Sequence, residues 1–148
     1  MKKAFLFLGA LALSLTILAQ QKKAEDVAKF KELSWDFGKI KQGTPVTHNF
    51  IFENTTDKPI VIESAVPSCG CTTPVKPEAP IAKGAEDKII AGFNAAAAGP
   101  FNKTITVKIA GIDLPLQLKI TGEVLTADAY TKYVSEKDKQ PKPEKSGL

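Results

Sequence analysis

From Leu33 to Ile120 apolar and polar residues alternate with a period of two, not the 3.6 of a helix. Leu33, Trp35 and Phe37 alternate with Ser34 and Asp36, and Gly38 follows. His48, Phe50 and Phe52 share one parity, and Ile60 and Ile62 flank Val61. Ile89, Ala91 and Phe93 form another set, then Phe101, Ile105, Val107 and Ile109, then Leu114, Leu116, Leu118 and Ile120. Such parity packs one face of each segment and leaves the other wet, as in half-buried strands. Turn formers divide the segments at Lys41-Gln42-Gly43, Asn54 to Lys58, Lys83-Gly84, Ala98-Gly99-Pro100 and Ala110-Gly111. Short strands at this spacing, with no amphipathic helix between them, predict an all-β sandwich of about seven antiparallel strands over residues 31–126. Trp35 falls on the packed face and reads as core. Pro115 cannot donate to a ladder, so the last strand is expected at a sheet edge or with a bulge there.

The two ends read differently. Lys2 and Lys3 precede an apolar run from Ala4 to Leu18, and Ala19 precedes the polar Gln20-Gln21-Lys22-Lys23. That order is the secretory signal pattern, and the run falls short of the roughly 20 apolar residues that span a bilayer. Residues 1–19 are therefore expected to be a signal peptide cut after Ala19, although Ile17 is bulky for its place two residues before the cut. No Cys stands at that boundary to carry a lipid. Residues 20–30 read as a polar spacer. Residues 127–148, rich in Lys, Glu, Asp and Pro, read as a charged and largely disordered tail.

Charge narrows the function classes. The chain carries a formal +4. Loss of Lys2 and Lys3 leaves eighteen basic and sixteen acidic residues, a net +2. Every basic residue is Lys. Arginine, the residue suited to bidentate phosphate and base recognition, is missing, and no basic run is interleaved with aromatics, so nucleic-acid binding is not expected.

Pro67-Ser68-Cys69-Gly70-Cys71-Thr72-Thr73-Pro74 holds both cysteines. Two residues of extended strand span roughly 6.6 Å, near the top of the window for a bridge, and Gly70 could bend the chain to shorten it. A bridge there would close a very small loop, constrain the unfolded chain little and reduce easily. Free thiols packed as small hydrophobes and a copper(I) pair are the alternatives. A closed zinc site needs four ligands, and His48 is the only histidine, so no metal is expected. Redox pairs usually have two intervening residues at a helix start, and here there is one between strands. The core itself needs no staple, since about a dozen apolar side chains contribute roughly 1.5–3 kcal/mol each.

No catalytic residues emerge. His48 reads as a half-buried histidine bonded to a neighbouring loop, and Ser68 lacks the Gly-x-Ser-x-Gly setting. Asn54-Thr55-Thr56 and Asn102-Lys103-Thr104 match the glycosylation acceptor pattern, which arises readily by chance.

Asp36-Phe37-Gly38-Lys39-Ile40, Gly43, His48-Asn49-Phe50, Asn54 and Lys58-Pro59-Ile60-Val61-Ile62 resemble the opening half of the bacterial family named domain of unknown function 1573. Ser68-Cys69-Gly70-Cys71-Thr72 with Pro74 resembles its hallmark, and Pro80-Ile81, Gly84, Phe93, Gly99 to Lys103 and Thr121 to Val124 continue the match. The resemblance covers about Leu33 to Val124. Ala82-Lys83-Gly84 stands where the family commonly has a Pro-Gly turn, and Ala110-Gly111 replaces a Ser-Asn. It implies an immunoglobulin-like sandwich, akin to modules of cilium-associated proteins, and it implies no activity. The expectation is an exported, non-catalytic binding or structural module of the periplasm or cell envelope. It has no cofactor, and its protein partners are unidentified. The alternative is a thiol-redox or copper(I)-handling protein that uses Cys69 and Cys71.

Overall fold

The structure is a computed structural model that describes residues 22–139. The expected signal peptide with its cut after Ala19, and the tail beyond residue 139, lie outside the described residues.

Eight strands form two four-stranded sheets: β1 (Ala28–Phe30), β2 (Ser34–Lys41), β3 (Val46–Asn54), β4 (Ile62–Pro67), β5 (Thr72–Val75), β6 (Glu86–Phe93), β7 (Gly99–Ile109) and β8 (Leu116–Leu125). One sheet runs β1-β3-β6-β5 and the other β2-β8-β7-β4. All pairs are antiparallel except β2–β8, which is parallel. The fold is the expected immunoglobulin-like sandwich. The parity that predicted the strands also built the core between the sheets: Phe50, Phe52, Ile89, Ala91, Ile105, Val107, Ile109, Leu116, Leu118 and Ile120 are all buried.

Four expectations need correction. The residues read as a spacer belong to the fold, because Ala24, Val27 and Ala28 are buried and β1 pairs with β3. Three small apolar residues sufficed to tie down a segment whose average composition is polar. Residues 127–139 of the expected disordered tail form helix α1 (Ala127–Lys139). None of its side chains is buried, and Lys39 Nζ lies 5.0 Å from the centre of the Tyr133 ring. The strand after Pro115 is interior, not an edge, because β8 begins one residue later and the proline falls outside the ladder.

Trp35 is the fourth. It is 39% exposed, not core. The ladder between β2 and β8 shifts register between Asp36 and Lys39. Gly38 there has φ +65 and donates its N–H to Asp36 Oδ1 at 2.9 Å. Trp35 pairs with buried Ile120 and Ile40 with buried Val124, so both lie on the inner side of β2. The extra residue at the bulge brings Ile40 onto that side, while Trp35, near the start of the edge strand, stacks on His48 at the margin of the sandwich and stays partly exposed.

Candidate functional site

The two cysteines lie where the chain crosses between sheets. β4 is the edge of one sheet and β5 the edge of the other, and residues 68–71 join them. The structure joins Cys69 and Cys71 in a disulfide with Cα atoms 5.3 Å apart. The flat-strand spacing is not needed, because Thr72 N–H donates to the Cys69 carbonyl at 3.3 Å and closes a turn that draws the cysteines together. The backbone of this turn is anchored on both flanks without the sulfurs. Ser68 N–H donates to the Thr104 carbonyl at 2.8 Å, Thr104 N–H donates to Ser68 Oγ at 3.1 Å, and Asn94 N–H donates to the Cys71 carbonyl at 3.1 Å. Cys71 packs against the core, and the buried Thr72 hydroxyl lies 3.6 Å from Cys69 Sγ. Gly70 is exposed, and a Cβ added there would meet nothing within 4 Å. Behind β5, Gly92 lets Thr73 approach so closely that a Cβ would come within 2.7 Å of its hydroxyl.

A second feature occupies the opposite side of the sandwich. His48 Nε2 pairs with Glu32 Oε1 at 2.8 Å, in the loop between β1 and β2, as a half-buried histidine bonded to a loop was expected to do. Trp35 of β2 stacks on the imidazole with ring centres 4.0 Å apart and planes 7° from parallel, and Phe50 meets the same ring edge-on at 4.9 Å. Leu33, also exposed, stands two residues from Trp35.

This aromatic cluster lies beside an uncovered strand edge. β1 pairs only with Phe52, Glu53 and Asn54 of β3, and Lys31 N–H donates to the Ile51 carbonyl before the chain leaves for the other sheet. Groups on a strand alternate sides, so the N–H and C=O of Thr47 and Asn49 point outward with no strand across from them among the described residues. The edges next to the disulfide differ. The same alternation, counted from Ser68 and Cys71, turns Pro67 of β4 and Pro74 of β5 outward, where each removes a donor.

The other candidates are structural. Asn54 is fully buried: its Nδ2 donates to the Lys58 and Ile81 carbonyls at 2.8 and 2.9 Å, and its Oδ1 accepts from Thr56 N–H and Oγ1 at 2.9 and 2.8 Å. With its amide fully used, Asn54 is not a glycosylation acceptor in the folded chain, whereas Asn102 is exposed. Among the described residues no group of three or more His, Cys, Asp or Glu could hold a metal. No described helix is long and apolar enough to cross a membrane. Sequence reasoning missed the uncovered edge, because it follows from the short pairing of β1 with residues 52–54 of β3, and β1 itself was read as spacer.

Among solved structures, a Porphyromonas gingivalis protein of unknown function matches with a TM-score of 0.56 at 14% identity, over 66% of this chain and 46% of its own. This chain thus spans about half the length of that relative. The ASH/PapD-like domain 7 of human CEP192 gives a TM-score of 0.56 at 12% identity, over 84% of this chain and 99% of the domain. The VesB protease of Vibrio cholerae gives 0.53 at 12% identity, over 68% and 33%. Identities this low establish the shared sandwich alone. No curated protein matches the chain. The family described as Protein of unknown function (DUF1573) matches residues 28–124, nearly the whole sandwich and the Cys-Gly-Cys turn with it, and the chain belongs to that family.

Proposed function

We infer that this chain is an exported, non-catalytic module of the periplasm or cell envelope that binds a protein partner by adding a strand to its sheet. The supporting observation is the uncovered half of β3, from Val46 to Phe50, with outward Thr47 and Asn49 and with Trp35 and Leu33 beside it. An unpaired edge is a template for an extended segment, and exposed aromatic side chains add contact area at low entropic cost. The contrast within the molecule supports this reading. Prolines within β4 and β5 blunt those two edges, whereas β3 has none between Val46 and Phe50, its nearest proline being Pro45 just before the strand. Export rests on the signal pattern of residues 1–19.

The test is cross-linking in envelope fractions of cells that express the full chain, with the wild type and two variants. Thr47→Pro removes an outward N–H while leaving the β3–β6 ladder its bonds, and Trp35→Ala removes the aromatic wall. The expected result is one cross-linked species that both variants lose while their thermal unfolding stays close to wild type. A species that both variants retain refutes strand addition at β3, and recovery of the chain in the cytoplasm with residues 1–19 uncut refutes export.

A further inference from the structure

The crossover turn carries chemistry that partner binding at β3 leaves unused. We propose that Cys69–Cys71 is a thiol–disulfide exchange site whose co-substrate is a pair of thiols. This goes beyond the binding reading and uses the opposite side of the sandwich, so either can fail alone.

The bridge is placed for exchange and not for stapling. Its loop encloses a single residue, and the turn it spans is already held by the hydrogen bonds of Ser68, Thr104, Cys71 and Asn94. Opening it therefore leaves the strands where they are. The turn also projects into free space, since Gly70 is exposed and has room on its Cβ side. Its two sulfurs are inequivalent. Cys71 packs against the core, while Cys69 stands outside that packing and receives the Thr72 hydroxyl proton as a hydrogen bond. In a disulfide neither sulfur carries a proton, so the hydroxyl is the donor.

Exchange needs a thiolate in line with the S–S bond. A co-substrate thiolate attacks Cys69 Sγ. A new S–S bond forms to Cys69, the old one breaks, and its electron pair leaves on Cys71 Sγ, which takes up a proton. The second co-substrate thiolate then attacks its own neighbour's sulfur in the mixed disulfide and releases Cys69 as a thiolate, which also takes up a proton. The co-substrate loses two electrons and becomes a disulfide, and this chain gains two and becomes a dithiol. The Thr72 hydroxyl donates to Cys69 as negative charge returns to it.

Glutathione serves as the probe. The purified mature chain is equilibrated in glutathione buffers of graded poise at neutral pH, quenched by alkylation and weighed. The expected outcome is reversible interconversion to the same ratio from both directions, with circular dichroism unchanged. Cys71→Ser is expected to take glutathione onto Cys69 at least about threefold faster than Cys69→Ser takes it onto Cys71. Thr72→Val, which keeps the buried shape, is expected to slow exchange severalfold with unfolding little changed, and Trp35→Ala is expected to leave the rates alone. A bridge that stays closed in millimolar reduced glutathione, or opens only as the strands unfold, overturns the proposal. Equal rates at the two cysteines overturn attack at Cys69, and wild-type rates in Thr72→Val overturn the donor.

Discussion

Replacing both cysteines, Cys69→Ser with Cys71→Ser, tests whether the bridge holds the fold together. The closed loop contains residues 69–71. The chain-entropy relation gives about 1.6 kcal/mol for a loop of three, against about 3 kcal/mol for a loop of fifteen. So short a segment is stiff even when unfolded, which makes the smaller figure an upper bound on the entropic part. Cys71 also loses its apolar packing, which adds roughly 1 kcal/mol. The hydrogen bonds from Ser68, Thr104 and Asn94 remain, because none involves a sulfur. The expected loss is therefore about 1–2.5 kcal/mol, read as a lower urea midpoint at an unchanged slope. A loss above about 4 kcal/mol, or a change of slope, refutes the reasoning, since it shows that the sulfurs and not the backbone hold the crossover.

Two further substitutions and one truncation probe other parts of the fold. Asn54→Ala removes the buried amide that ties Thr56 N–H and the Lys58 carbonyl of the β3–β4 connection to the Ile81 carbonyl between β5 and β6, so we expect a loss of about 3–5 kcal/mol, larger than that of the double serine variant, by urea unfolding. Gly122→Ala places a Cβ within 2.8 Å of both the Phe101 ring and the Gly38 carbonyl, so it is expected to cost about 3 kcal/mol and to weaken the β2 bulge, read by amide exchange at Lys39 to Lys41. Removal of residues 127–148 takes away a helix with no buried side chain and is expected to cost less than about 1 kcal/mol in the thermal midpoint measurement.

The strands and their buried faces were legible because parity is a local signal and the sandwich core obeys it from β3 to β8. Legibility failed where a single residue changes the rule. Gly38 shifts the parity of β2 so that Ile40 follows Phe37 onto the packed side, and parity alone does not show that Trp35, on that same side, sits at the open margin of the sandwich. Ala24, Val27 and Ala28 were invisible for another reason: three small residues among charges carry almost no hydrophobic signal, and their burial depends on a neighbouring strand distant in sequence. The cysteine turn was legible as a pattern, but its anchoring was not. Neither the Asn94 bond to Cys71 nor the Ser68–Thr104 pair follows from spacing, since both link segments that only the tertiary fold brings together.

That anchoring sets what an opened bridge does next. A turn fixed by backbone hydrogen bonds keeps the two thiols adjacent after reduction, with Cα atoms near the 5.3 Å of the closed form. A glutathione attached to Cys69 thus sits beside a thiol already in place, and attack by Cys71 is intramolecular at high effective concentration. The mixed disulfide is expected to be short-lived in the wild type and to persist in Cys71→Ser. Rapid quenching and mass measurement distinguish the two. If the adduct lasts as long in the wild type as in Cys71→Ser, the thiols separate on reduction, and the hydrogen bonds around Ser68 and Asn94 do not fix the turn. A short lifetime in the wild type alone ties the chemistry to the scaffold: the contacts that make the disulfide dispensable for stability hold its resolving thiol in place.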